Sequence, residues 1–114
     1  MIMPQFLNTT RNQKMQDTID LKKLTDEESE KLMTSLDEDW MFSDNRLVIS
    51  REFKFKGYYK TIAFVNVVAW IAQEEGHHPD LEVNFGRVLV KFTTHDVKGL
   101  SLNDFKIAKR VDQI

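Results

Sequence analysis

The chain has 114 residues, enough for one modest hydrophobic core and too few for two. Its 16 basic and 18 acidic side chains leave a net charge of −2, so there is no electrostatic case for binding nucleic acid or an anionic membrane surface. Cysteine is absent, which excludes disulfides, thiolate catalysis and thiolate metal sites and fits a reducing compartment; a cytoplasmic protein is expected.

Residues 1–23 are polar and rich in Asn, Gln, Thr and Lys, with no helical or strand period. Such a stretch buries too little surface to offset its ordering entropy, so a flexible N-terminal tail is expected, followed by a single domain over residues 24–114. Residues 1–7 are too short, and too broken by Pro4 and Gln5, for a signal-peptide core, and no apolar run approaches membrane-spanning length.

Thr25 followed by Glu28 is a capping box, and the helix it opens carries Leu32, Met33 and Leu36 as its buried stripe and should end near Asp37. Trp40, Met41 and Phe42, a Ser43-Asp44-Asn45 turn, and the alternation of Leu47, Ile49, Arg51, Phe53 and Phe55 with polar neighbours read as a hairpin with one face on a core. Arg51 interrupts that face and is expected to lay its stem along the sheet edge. Trp40 and Trp70 are expected in the core.

Gly57 breaks the strand pattern, and a helix follows from Tyr58 to Glu75. Tyr58, Ile62, Val65, Ala69 and Ala72 share one face, while Phe64, Val67, Val68, Trp70 and Ile71 fill most of the remainder. A helix apolar nearly all round must be covered on two sides, so it should sit on the sheet and also meet another subunit, in a homodimer or homotetramer.

A second hairpin is predicted from residues 81–85, a turn at Gly86 and Arg87, and residues 88–94. Ser101 then caps a last helix whose inner stripe is Phe105, Ala108 and Val111. The order α-β-β-α-β-β-α predicts an α+β fold, a four-stranded antiparallel sheet with three helices packed on one face.

All three histidines lie in one stretch. His77 and His78 follow the long helix directly, and Pro79 disfavours helical backbone at His78, so the two rings should point in different directions. His95 sits just past the return strand of the second hairpin, where a side chain is held but open to a cleft. Asp104, three residues after Ser101, is a capping-box acid that can also orient an imidazole. Phe85 is expected in the core or as a pocket wall. Three imidazoles and a carboxylate suit proton transfer near neutrality. A divalent-metal site of His77, His95 and a carboxylate is disfavoured, because adjacent histidines rarely chelate one ion and the spacing matches no zinc motif.

These residues also carry a resemblance. Glu75-Gly76-His77-His78-Pro79-Asp80-Leu81, then Phe85, His95 and Asp104, resembles the pterin-4a-carbinolamine dehydratase family, whose pattern is a charged residue, three residues, His-His-Pro, an aromatic, a further His and a downstream Asp. The resemblance implies loss of water from a 4a-hydroxytetrahydropterin without metal, nucleotide or redox cofactor, in the service of an aromatic amino acid hydroxylase. His77 and His95 would do acid/base work, and His78 binding and proton transfer. Gln73, Glu74, Pro79, Thr94 and Asp104 would line the substrate site. Gln73 departs from the pattern, which wants a charged group there, and Glu74 is the nearest stand-in. The competing implication is a weakly active or non-catalytic pterin-binding protein of the same fold, with a molybdopterin-linked or transcriptional role.

Overall fold

The computed structural model describes residues 21–114, and most of the expected N-terminal tail lies outside them. Helix α1 spans Asp26–Met33. Its capping box forms as the sequence requires: the Glu28 amide donates to Thr25 Oγ1 at 3.1 Å, and the Thr25 amide to the Glu28 carboxylate at 2.9 Å. The helix stops at Met33 and not near Asp37; Thr34 and Ser35 turn their hydroxyls back onto the carbonyls of Lys31 and Leu32, competing with helix continuation. Leu36 is nonetheless buried, in the turn that follows.

Strands β1 (Met41–Phe42), β2 (Ile49–Lys54), β3 (Asp80–Asn84) and β4 (Arg87–Phe92) form one antiparallel sheet in the order β1-β2-β4-β3. Helix α2 covers Tyr58–Glu75 and α3 Leu102–Asp112, giving the α+β architecture and element order that the hydrophobic periods predict. Val88, Val90 and Phe92 of β4 and Ile49 of β2 are fully buried, and Phe64, Val68, Ile71, Phe105, Ala108 and Val111 of α2 and α3 close over them. Aromatic rings fill the layer between, with Phe64 centred 4.6 Å from Phe53 and 5.0 Å from Phe55.

The Arg51 guanidinium ends on the helix face, where Nη1 lies 2.7 Å from Asp112 Oδ1 and the plane covers Phe53 at 4.3 Å. Asp112 also accepts from Trp40 Nε1 at 2.7 Å and from the Asp37 amide at 2.9 Å, so one carboxylate ties the end of α3 to the sheet and to the α1–β1 connection. Trp40 is in the core, but Trp70 is 53% exposed on the outer face of α2, alongside Tyr59 and Val67. Phe85 is 70% exposed in the β3–β4 turn, with its ring against Tyr58, and forms neither core nor wall near the histidines. Among the described residues, no helix is long and apolar enough to cross a membrane.

Candidate active site

Strand register decides which residues meet. Asp80 pairs with Lys91 and Leu81 with Val90, so the chain that enters β3 and the chain that leaves β4 lie at the same end of the sheet. His77, His78 and Pro79 occupy the first of these segments; Thr94 and His95 occupy the second.

Helix α2 ends in a Schellman motif, the His77 amide bonded to the Ala72 carbonyl at 3.1 Å and the Gly76 amide to the Gln73 carbonyl at 3.3 Å. Gly76 takes φ +65°, a left-handed conformation that a side chain would disfavour, and this reversal turns His77 back toward the start of α3. There His77 Nε2 lies 2.6 Å from Asp104 Oδ1. The His77 ring lies nearly parallel to Phe92, with centroids 6.2 Å apart, which fixes its plane. The His77 side chain retains 14% exposure while that of Asp104 has none, so the imidazole is the part of the pair open to a ligand.

Asp104 is held from its other oxygen as well. Oδ2 accepts the Ser101 amide at 2.9 Å and the Thr94 hydroxyl at 2.7 Å. The amide contact is the acidic half of the predicted capping box, so the residue that starts α3 is also the one that meets His77. Three donors converge on this carboxyl, which therefore acts as an acceptor only, and the bond to His77 needs a hydrogen on Nε2. Nδ1 is left as the ring nitrogen able to accept a proton.

His95 stands on a 3-10 turn, His95–Val97, inside a small loop closed by the Thr94 amide bonding to the Gly99 carbonyl at 2.8 Å. Its side chain and that of His78 are exposed. Beneath the loop, the Leu24 amide bonds to the Leu100 carbonyl at 2.8 Å, and the Lys23 stem passes against Gly99, where a Cβ would come within 2.6 Å of Lys23 Cε and displace that side chain.

The remaining predicted positions divide. Pro79 is half-buried between His78 and β3, and Gln73 is exposed on the last turn of α2. Glu74, the expected stand-in for a charged residue at Gln73, is ion-paired: Arg110 Nη1 holds its carboxylate at 2.6 Å and that of Glu75 at 2.8 Å. Burial disfavours the Arg110 charge, but the hydrogen bonds to Glu75 and Glu74 outweigh it and hold the guanidinium above its ordinary pKa. Thr94 is only 4% exposed, and its hydroxyl meets Asp104 on the oxygen opposite His77. Arg110 and the second use of Ser101 carry no sequence signal, since both depend on where α3 docks.

The family model for pterin 4 alpha carbinolamine dehydratase matches residues 22–114. The chain belongs to that family. A relative from Nitrosomonas eutropha, provisionally named a pterin-4-alpha-carbinolamine dehydratase, is 50% identical over 91 residues, covering 80% of this chain and 79% of its own. A Nitrosomonas europaea relative with the same provisional name is 48% identical over 88 residues, 77% of this chain and 76% of its own. Among solved structures, a Brucella melitensis protein described as a transcriptional coactivator/pterin dehydratase superposes with a TM-score of 0.76 at 30% identity, over 81% of this chain and 97% of that one. The pterin 4 alpha carbinolamine dehydratase match spans every residue of the site described above, from Gln73 to Asp104.

Proposed function

We propose that this protein dehydrates a 4a-hydroxytetrahydropterin to the quinonoid dihydropterin by histidine acid/base catalysis, recycling the pterin of an aromatic amino acid hydroxylase in the cytoplasm. The observation that carries the reading is His77 held at 2.6 Å by the buried Asp104, in a chain of this family. In the reaction the C4a–O bond breaks and the hydroxyl leaves as water after taking a proton. The N5–H bond gives up its proton, and its electron pair becomes the new N5–C4a double bond. No net redox change occurs. His77, its Nε2–H engaged by Asp104, offers Nδ1 as the base for the N5 proton. His95 supplies the proton to the leaving hydroxyl, and His78 contacts the pterin beside them. The base at His77 and the acid at His95 each contribute about 10²- to 10⁴-fold in rate.

The test is the rate at which the carbinolamine released by a phenylalanine hydroxylase disappears, with wild type, His77→Ala and His95→Ala. Acceleration by wild type and its loss in both variants is expected; no acceleration by wild type would leave a pterin-binding or regulatory protein. One observation favours that second reading: Gln73 cannot titrate, and Glu74 is engaged by Arg110. The exposed stripe of Tyr59, Val67 and Trp70 on α2 supports self-association through this helix, as a dimer or a tetramer.

A further inference from the structure

We propose that Thr94 and Ser101 are positioning residues for proton transfer at His77, a reading that rests on the acid/base role given to His77 above. The argument is one of hydrogen-bond direction. Asp104 Oδ2 has no hydrogen to give, so the 2.7 Å contact with Thr94 Oγ1 uses the single hydroxyl proton of Thr94. Thr94 Oγ1 also lies 2.7 Å from Ser101 Oγ. With its own proton committed, Thr94 can only accept there, so Ser101 donates. The chain therefore runs in one direction: Ser101 to Thr94, Thr94 to Asp104, and His77 Nε2–H to the opposite oxygen of the same carboxylate.

Behind His77, nothing in this relay is open to solvent. Thr94 is 4% exposed, and Ser101 and Asp104 are fully buried, so water does not replace a deleted hydroxyl. Removing the Thr94 hydroxyl takes one of two donors from Asp104 Oδ2 and leaves the carboxylate anchored on that side by the Ser101 amide alone, free to rotate away from His77. Ser101 acts one step further back, by polarising and orienting the Thr94 hydroxyl. Thr94 and Ser101 flank the loop that presents His95, so the same two hydroxyls set where that loop sits against the carboxylate that holds His77. With Thr94 4% exposed and Ser101 fully buried, both act through Asp104.

The deciding experiment uses Thr94→Val, which keeps shape and removes the donor, with Thr94→Ser as the variant that restores it. Two readouts are taken on the full chain: steady-state kinetics, and the downfield proton resonance of the His77 ring N–H, whose exchange with water is followed without any ligand. Thr94→Val is expected to lower kcat by about 10²-fold, the scale of a misplaced catalytic group, with KM little changed. It should also speed exchange of the His77 ring proton by about tenfold or more, as expected for an opened hydrogen bond. Thr94→Ser should return both to wild-type values. Ser101→Ala, which leaves the Thr94 contact in place, should give smaller changes of the same kind, and it carries the test if Thr94→Val does not fold. The proposal is overturned if a folded variant leaves kcat unchanged, or lowers kcat while ring-proton exchange stays as in wild type. If wild type itself shows no dehydration, the acid/base reading fails, while the exchange comparison still decides whether these hydroxyls hold the Asp104–His77 pair.

Discussion

Replacing Asp104 by asparagine is the sharpest single perturbation of the site, because it preserves volume and changes only which atoms can accept. Two donors, the Ser101 amide at 2.9 Å and the Thr94 hydroxyl at 2.7 Å, aim at Oδ2. The one oxygen that asparagine retains must stay with them, which turns the amide NH2 toward His77 Nε2. A donor now faces that nitrogen, so the ring must accept on Nε2 and carry its hydrogen on Nδ1, the atom that has to receive the substrate proton. The three charge-assisted hydrogen bonds to the carboxylate become neutral ones, at a cost of about 2–4 kcal/mol in stability. A domain with an ordinary margin of about 5–15 kcal/mol remains folded. Catalysis should suffer far more, since general-base assistance of about 10²- to 10⁴-fold is lost. Urea unfolding with carbinolamine dehydration kinetics on the same sample measures both. An asparagine variant whose kcat stays within about threefold of wild type, a barrier change of well under 1 kcal/mol, would refute the tautomer argument.

Gln73→Glu should raise kcat by about 3- to 10-fold, because a carboxylate would return a titratable group to the edge of the site; a fall in turnover under the same dehydration assay would count against it. Asp112→Ala removes the acceptor shared by Arg51, Trp40 and the Asp37 amide and leaves a largely buried guanidinium with Asp37 at 3.6 Å and Asp39 at 3.9 Å. Loss of a fully buried partner costs about 3–5 kcal/mol, and these residual carboxylates reduce that to about 2–4 kcal/mol, readable as a shift in the urea midpoint at unchanged slope. Stability should also fall in acid. A hydrogen bond from Arg87 holds the Glu52 carboxyl below its ordinary pKa, one from Lys91 does the same for Glu82, and the Thr25 amide does so for Glu28. Groups depressed on folding contribute stability that is present above the unfolded carboxylate pKa of about 4.3 and disappears as the pH drops through the folded value. A melting temperature that is flat near neutrality and declines below about pH 4 is expected, and one that rises on acidification would contradict the assignment of these pairs.

Local rules carried most of the fold because they act within a few residues. Thr25 with Glu28, Ser101 with Asp104, and the period-two alternation of both hairpins are readable wherever the chain ends up. The elements that escaped are those whose surroundings are set by distant chain. Trp70 and Phe85 look like core by composition, yet one lies on the face of α2 turned away from the sheet and the other at a hairpin tip, and sequence alone does not say which side of an all-apolar helix is covered. Arg51 was legible as an anomaly on an apolar face; its partner Asp112 lies 61 residues later and meets it only because α3 docks there. At the candidate site, the His-His-Pro run and Asp104 were visible as residue types in a pattern. That Asp104 would bond to His77, that Glu74 would be engaged by Arg110, and that Thr94 would face inward all follow from strand register and helix docking, which no local spacing encodes.

The contact between the Leu24 amide and the Leu100 carbonyl, with the Lys23 stem threaded under Gly99, bears on where the domain can be cut. A truncated protein begun at Thr25 would keep every helix and strand intact and still lose the main-chain strut beneath the turn that carries His95. Begun at residue 22, where the family match opens, it would keep that strut. The shortest fragment that folds and the shortest fragment that works are therefore expected to differ by about one turn of chain, and the difference falls on three residues that belong to no helix or strand.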